Sequence, residues 1–178
     1  MNVILVGYRC TGKSTTGEIL ARVMSLPFVD TDRVIEATMG SDVASIVADL
    51  GWDGFRKIES QVLKQVLTSD DMVIATGGGV VLDRKNLVVM EFAGTVVWLR
   101  ASADTILRRI SGDTATPGLR PSLTGKSLEQ EVVETLAVRE PLYQAAADLV
   151  VDTDQHDPAE TAATIQRILD KRSIDYGG

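Results

Sequence analysis

Gly7-Tyr8-Arg9-Cys10-Thr11-Gly12-Lys13-Ser14 follows the apolar run Val3-Ile4-Leu5-Val6 and opens a helical pattern that continues to about Met24. The stretch matches the phosphate-binding pattern G-x-x-x-x-G-K-[ST] in a strand–loop–helix setting. Its glycines let backbone N–H groups turn towards phosphate oxygens, and the following helix directs its positive dipole end at the same anion. We therefore predict that the stretch binds phosphate in a nucleotide-binding α/β protein, and that it is not merely a glycine-rich turn between a strand and a helix.

The loop pattern assigns roles around a bound ATP. Lys13 is expected to reach the β- and γ-phosphates, and the Ser14 hydroxyl is expected to bind Mg²⁺. For Cys10, a reactive thiol beside a helix N-terminus and a passive loop residue both stay open. The residues predicted to contact ATP through this loop are Gly7, Cys10, Thr11, Gly12, Lys13, Ser14 and Thr15.

The composition is that of an ordinary globular domain. The chain has 178 residues, of which 44% are hydrophobic, and a formal net charge of −7. The length predicts one domain, and the absence of an apolar run of about 18 residues predicts no membrane span. The negative charge disfavours binding to nucleic acid or an anionic membrane surface. A single cysteine and the lack of a signal-peptide pattern predict a cytoplasmic protein without internal disulfides.

Short apolar runs alternate with helical patterns along the chain. Strands are predicted at 2–6, 27–29, 72–75, 95–99 and 149–151. Helices are predicted at 13–24, after Asp32, from about 42 to 50, at 54–68, 83–92, 102–111, 127–146 and from 157 onwards. This alternation is typical of a parallel sheet covered by helices on both faces, with ligands at the carboxyl ends of the strands.

Asp30 and Asp32 follow the second predicted strand. Alternate residues of an extended segment face the same way, so both carboxylates could point into the site. The strand at 72–75 is followed by Thr76 and not by an acid, which leaves Asp30 as the better candidate for the Mg²⁺ site and Asp32 for a substrate hydroxyl. The alternative is that the pair caps the next helix.

Three glycines, Gly77, Gly78 and Gly79, follow the predicted strand at 72–75. Bare backbone of this kind lets a ligand approach closely and offers N–H donors to it. A flexible strand-to-helix turn is the alternative interpretation.

Two arginines are candidates for binding an anionic substrate group. Arg56 could instead pair with Glu59 on its own predicted helix, and Arg139 could instead be a surface residue near Glu140. A third arginine, Arg120, lies in the segment 112–126, whose glycines and prolines predict a mobile loop. An arginine on such a loop can stabilise a phosphoryl group in transfer, although a solvated loop charge is the alternative.

Taken together, these motifs resemble the shikimate kinase family over nearly the whole chain. The motifs that carry the resemblance are Gly7 to Ser14, Asp30-Thr31-Asp32, Phe55-Arg56-x-x-Glu59, Thr76-Gly77-Gly78-Gly79, Leu119-Arg120-Pro121, Arg139-Glu140-Pro141-Leu142-Tyr143 and Val151-Asp152-Thr153. The resemblance implies a three-layer P-loop kinase fold with a five-stranded parallel sheet in the order 2-3-1-4-5. It also implies a single domain, 1–178, with a mobile lid at 112–126 and substrate-binding helices within 31–60.

The resemblance further implies transfer of the γ-phosphate of ATP to the 3-hydroxyl of shikimate, by a monomer that uses Mg²⁺. Asp32 would hold the shikimate hydroxyls and could serve as base, while Asp30 would hold the metal through water beside Ser14. Arg56 and Arg139 would clamp the shikimate carboxylate, with Gly77, Gly78 and Gly79 against the substrate ring. Arg120 would be the lid arginine, and Arg109, Asp152 and Gln155 would border the adenine.

Two other functions stay open at this point. A gluconate-kinase-like enzyme would share the fold and loop, but the triple glycine with Arg56 and Arg139 favours a rigid ring carboxylate. An inactive nucleotide-binding regulator is disfavoured because Lys13, Asp32 and Arg120 are all present.

Overall fold

The computed structural model of the chain describes residues 1–112 and 125–175, with side chains through Arg172. Five strands form one sheet. They are β1 (Asn2–Val6), β2 (Phe28–Asp30), β3 (Val73–Ala75), β4 (Gly94–Arg100) and β5 (Leu149–Asp152). All neighbours are parallel, and the strand order β2-β3-β1-β4-β5 confirms the predicted order 2-3-1-4-5.

Seven α-helices connect and cover these strands within the described residues. They are α1 (Lys13–Met24), α2 (Thr31–Met39), α3 (Val43–Val66), α4 (Arg84–Ala93), α5 (Ala103–Gly112), α6 (Leu128–Ala146) and α7 (Pro158–Asp175). A short 3-10 helix spans Val80–Leu82. The predicted elements are confirmed, with boundaries that differ by one to a few residues.

The side chains of β1 point alternately to the two faces of the sheet, so the hydrophobic core has two layers. Val3 and Leu5 face one side, where they pack with Leu20 of α1 and Ile165 of α7. The intervening residues face the other side and pack with side chains from α3, α4 and α6, which are Leu63, Met90 and Tyr143 among others. Because both faces are covered, the central strands β3, β1 and β4 are mostly buried and apolar, as their sequences predicted, whereas the edge strands β2 and β5 are more exposed.

Helix α3 contains a break that the sequence anticipated. Gly51 has φ 67° and ψ 173°, so two helical segments meet there. Left-handed φ values of this kind favour glycine. The predictions of one helix ending near residue 50 and another beginning near 54 are therefore confirmed, and the second segment presents Arg56 and Glu59 to the sheet edge.

The first turns of two other helices are fixed by side-chain caps. The Ser127 hydroxyl accepts a hydrogen bond from the Gln130 N–H at the start of α6, as predicted. Asp157 accepts from the N–H groups of Ala159 and Glu160 at the start of α7. These caps satisfy donors that the helix itself leaves unpaired.

Candidate functional site

The phosphate loop joins β1, the central strand, to α1 at the carboxyl edge of the sheet. Gly7 has φ 145°, and a Cβ there would meet the carbonyl oxygen of Leu99 at 2.5 Å. Gly12 has φ 94° and precedes the first turn of α1. Both glycines are therefore required by the backbone path. Cys10 also has a left-handed φ of 61°, although it is not a glycine.

The side chain of Lys13 folds back along the phosphate loop. Its side chain is buried, and the ammonium donates to the carbonyls of Gly7 and Tyr8 at 2.8 Å each. The structure thus holds the ammonium against the backbone of the phosphate loop, and its contact with phosphate stays a prediction. Thr11 is buried and its hydroxyl bonds the Tyr8 carbonyl at 2.9 Å, while Thr15 is exposed at the start of α1.

The Asp30 carboxylate makes two separate contacts, and one of them is the helix cap that the sequence presented as the alternative to a metal site. One carboxylate oxygen accepts from the N–H groups of Asp32 and Arg33, at 3.0 and 3.4 Å, and caps α2. The other oxygen accepts from the Ser14 hydroxyl at 2.6 Å. A hydroxyl and a carboxylate side by side at the phosphate loop fit the hard oxygen ligands that Mg²⁺ prefers.

The triple glycine lies at the centre of the second half of the site. A Cβ on Gly77 would overlap carboxylate oxygens of both Asp32 and Glu59, and one on Gly79 would overlap the Arg56 guanidinium. A Cβ on Gly78 would lie 3.4 Å from the backbone of the phosphate loop. The glycines therefore allow close packing, and a merely flexible turn is the wrong interpretation.

Arg56 is held within a cluster of charged and aromatic side chains. It donates to Glu59 at 2.6 Å, which confirms the predicted pairing within the helix. Its guanidinium carbon also lies 5.1 Å from the ring centre of Trp52 and 5.2 Å from that of Phe55. Pairing with Glu59 is thus compatible with a place in the site, because Arg56 also packs against Gly79.

Arg139 is not a surface residue, so that alternative is wrong. Its side chain is only 8% exposed, and one guanidinium nitrogen donates to the Gly78 carbonyl at 2.9 Å. The Tyr143 hydroxyl donates to the same carbonyl at 2.5 Å. Two side chains of α6 therefore hold the triple glycine, and Arg139 lies at the same glycine segment as Arg56.

Burial controls the ionisation of the acid and phenol in this cluster. Burial raises the pKa of Glu59 despite the opposing charges of Arg56 and Arg139, and the neighbouring Asp32 raises it further. Burial also raises the pKa of Tyr143 to about 12, so this phenol stays protonated and donates. The cluster thus offers the buried guanidinium of Arg139 and the half-buried one of Arg56 beside a closely packed pair of carboxyl groups.

On the other side of the phosphate loop lies a cavity of about 160 Å³. It is lined by Cys10, Thr11, Gly12, Thr16, Arg109, Thr153, His156, Pro158 and Thr161. Arg109 donates to the carbonyls of Cys10 and Thr153 and to the Thr153 hydroxyl, which fixes it at the cavity wall. Of the residues predicted to border adenine, Arg109 lines this cavity, whereas Asp152 pairs with Arg100 at 3.0 Å and Gln155 is exposed.

Several residues of the site escaped the sequence analysis. Tyr8 is buried beneath the loop, and Arg9 forms a 2.5 Å ion pair with the buried Glu131 of α6. The only sequence signal for this pair is a large charged residue within a phosphate loop. Arg120 and most of the predicted lid, by contrast, lie outside the described residues, so their roles stay predictions.

The sequence model of the family described as "Shikimate kinase" matches residues 9–170. The chain belongs to the shikimate kinase family. A curated relative, shikimate kinase 2 of Yersinia enterocolitica, is 45% identical over 167 residues and the match covers 94% of each chain. Shikimate kinase of Rhodopirellula baltica is 43% identical over 159 residues, covering 89% of this chain and 85% of the relative.

Solved structures agree with this membership. Shikimate kinase from Acinetobacter baumannii in complex with shikimate superposes with a TM-score of 0.90 at 31% identity, covering 96% of this chain and 93% of that one. Shikimate kinase from Aquifex aeolicus gives a TM-score of 0.82 at 30% identity over the full length of both chains. As a member of the family, the chain is an ATP-dependent phosphotransferase that phosphorylates an alcohol group of shikimate. Within the described part of the chain, every helix is too short or too polar to cross a bilayer.

Proposed function

We propose that the phosphate loop and the triple-glycine cluster are the ATP half and the shikimate half of one site for transfer of the γ-phosphate to the 3-hydroxyl. The observation that carries this proposal is the position of Gly78. Its carbonyl accepts a hydrogen bond from Arg139, while a Cβ added to it would lie 3.4 Å from the backbone of the phosphate loop. The two halves therefore meet at one residue, as in-line transfer between two bound ligands requires.

In the shikimate half, Arg56 and Arg139 bind the substrate carboxylate. Both guanidinium groups are at most partly exposed, and both approach the triple glycine. A guanidinium offers two parallel N–H donors that match a carboxylate, and such charge-assisted pairs are strong when they are shielded from water. Gly77 and Gly79 let the side chains of Asp32 and Arg56 pack directly against the backbone at this end of the site.

Asp32 orients the substrate hydroxyl and accepts its proton. It stands at the first turn of α2, where its N–H is fixed by Asp30, and its carboxylate packs against Gly77 beside Glu59. Positioning and electrostatics carry most of the catalysis of phosphoryl transfer, so a carboxylate bonded to the hydroxyl contributes chiefly by alignment. Lys13 and the loop N–H groups offset the charge that develops on the phosphates.

Mg²⁺ would be held by the Ser14 hydroxyl directly and by Asp30 through water, together with phosphate oxygens. The 2.6 Å contact between these two side chains supports this assignment, because both oxygens can face one ion. Within the described residues, no group of three or more His, Cys, Asp or Glu side chains could hold a metal by itself. This agrees with an ion that keeps several waters and phosphate ligands. When bound, Mg²⁺ neutralises phosphate charge.

The remaining assignments complete the proposal. Arg109, Asp152 and Gln155 border the adenine, and Arg120 is a lid arginine within 112–126 that engages the phosphates. The substrate-binding helices lie within 31–60 of a single domain, 1–178. We take the protein to be a cytoplasmic monomer, which a single cysteine and a net charge of −7 support.

A coupled assay of ADP release tests the proposal with shikimate and gluconate as parallel substrates. We expect saturable ADP release with shikimate and none above background with gluconate. Phosphorus NMR of the product should show phosphate on the 3-hydroxyl. Lys13→Met is the matched control for contaminating kinases, since it removes the cation at the loop and should abolish the signal. ADP release that depends equally on gluconate, or a product phosphorylated elsewhere, would contradict the proposal.

A further inference from the structure

Tyr8 is the one large aromatic side chain of the phosphate loop, and its ring takes no part in the loop contacts described above. The ring is 1% exposed and packs with Ala101, Ile106, Val132 and Leu136, which belong to β4–α5 and to α6. The Tyr8 carbonyl, in contrast, accepts from Lys13 and Thr11 within the loop. One residue therefore connects the backbone of the ATP half with the helix that carries Arg139.

The ring of Tyr8 lies next to two guanidinium groups that differ in their partners. The guanidinium carbon of Arg9 is 5.8 Å from the ring centre and that of Arg139 is 6.0 Å away. Arg9 has its charge matched by Glu131 at 2.5 Å. Arg139 has no carboxylate within 4 Å among the described residues, and its guanidinium donates to the neutral Gly78 carbonyl. The Tyr8 ring is thus an electrostatic neighbour of Arg139, together with the carboxyl group of Glu59, which lies beyond ion-pair distance.

An aromatic face suits this position for a physical reason. It attracts a cation and limits its movement, but it does not occupy the N–H donors that a carboxylate ligand needs. A carboxylate partner in the same place would compete with the ligand for those donors. For a guanidinium shielded from water, the attraction corresponds to about a 2- to 30-fold change in a binding constant.

We propose that Tyr8 is a positioning residue, whose ring holds the Arg139 guanidinium in place for the substrate carboxylate and ties it to the phosphate loop. This inference rests on the proposed role of Arg139 in the carboxylate clamp. The Tyr8 hydroxyl is not part of it, because this buried group lies beside Thr135 and makes no hydrogen bond of regular geometry to the described residues.

Steady-state kinetics of Tyr8→Leu and Tyr8→Phe test the inference. Tyr8→Leu keeps an apolar filling of the pocket but removes the ring, so the shikimate KM should rise about 5- to 30-fold while the ATP KM stays within about 2-fold. Tyr8→Phe keeps the ring and should leave both KM values within about 2-fold of wild type. If Tyr8→Leu does not fold, Tyr8→Met gives the same comparison with a side chain that adapts to irregular gaps.

Three results would overturn the inference. The first is an unchanged shikimate KM in Tyr8→Leu, and the second is a rise in Tyr8→Phe as large as that in Tyr8→Leu. The third is a parallel rise of both KM values, which would indicate a distorted phosphate loop instead of a displaced arginine.

The Arg139→Lys variant separates failure of this inference from failure of the proposed clamp. If Arg139→Lys leaves the shikimate KM unchanged, the clamp itself is wrong. If Arg139→Lys raises that KM and Tyr8→Leu does not, only the positioning role is wrong. In the double variant, Tyr8→Leu should add less than about 2-fold to the effect of Arg139→Lys, because both changes remove one interaction. Fully additive effects of the two changes on the shikimate KM would show that Tyr8 does not act through Arg139.

Discussion

The Ser14 hydroxyl donates a 2.6 Å hydrogen bond to one carboxylate oxygen of Asp30, while the other oxygen of Asp30 caps helix α2. One side chain therefore serves both the stability of a helix and the contact with the phosphate loop. A substitution can separate the effects of these two contacts, since asparagine caps helices about as well as aspartate but carries no charge.

Asp30→Asn should accordingly change the metal requirement more than the stability. We expect the Mg²⁺ concentration for half-maximal rate to rise about 10-fold, and the unfolding free energy to change by less than about 0.5 kcal/mol. Asp30→Ala is the matched control, because it also removes the cap and should cost about 1 kcal/mol. Metal titrations and urea denaturation measure the two effects. An unchanged Mg²⁺ requirement in both variants would assign Asp30 to the cap alone.

Arg56→Lys tests the carboxylate clamp. Lysine keeps the positive charge but loses the planar pair of donors, so the shikimate KM should rise about 10-fold or more and the ATP KM should stay unchanged. Initial rates with each substrate varied in turn give both values. A shikimate KM equal to that of wild type would exclude Arg56 from the clamp.

Gly79→Ala should disturb the same arginine without removing it. The added Cβ would overlap the Arg56 guanidinium, which must then leave its place between the aromatic rings and Glu59. We expect the shikimate KM to rise about 10-fold, since a misplaced donor loses most of a bidentate contact. Adding Gly79→Ala to Arg56→Lys tests the cause. Little further loss is expected there, whereas an independent effect would place the damage in the glycine backbone.

Local signals in the sequence were sufficient for the elements and for the phosphate loop. The break at Gly51 and the cap at Ser127 depend on single residues and their neighbours, and both were predicted. The choice between cap and metal site at Asp30 could not be made from sequence, because both roles use the same carboxylate. Only the fold shows that the cap uses one oxygen of Asp30 and the contact with Ser14 uses the other.

Contacts between distant segments marked the limit of prediction. Arg139 lies in a helix whose sequence does not distinguish its buried face clearly, so its bond to Gly78, 61 residues away, could not be foreseen. The pair of Arg9 with Glu131 spans 122 residues. Such contacts depend on how helices pack on the sheet, which periodicity does not determine.

Glu59→Gln should flatten the pH dependence of stability. Burial raises the pKa of Glu59 above its ordinary value of 4.5, and the folded state therefore binds more protons than the unfolded state above that pH. The stability contributed by Glu59 is complete below pH 4.5 and is lost as the pH rises through its folded pKa. Urea denaturation from pH 4 to 7 should show the difference in unfolding free energy, Glu59→Gln minus wild type, growing with pH by at most about 1.4 kcal/mol per unit. Parallel curves would contradict the raised pKa.

Asp32→Asn tests the alignment of the substrate hydroxyl. Asparagine keeps the size and one acceptor but loses the charge, so shikimate phosphorylation should fall at least about 10²-fold in kcat. The affinity for ATP with Mg²⁺ should change little, because Ser14 and Asp30 are assigned to the metal. Single-turnover kinetics and calorimetric titration of each ligand separate these quantities, with Asp30→Asn as the comparison. If Asp32→Asn shifts the Mg²⁺ requirement and spares the chemical step, the roles of Asp30 and Asp32 are exchanged.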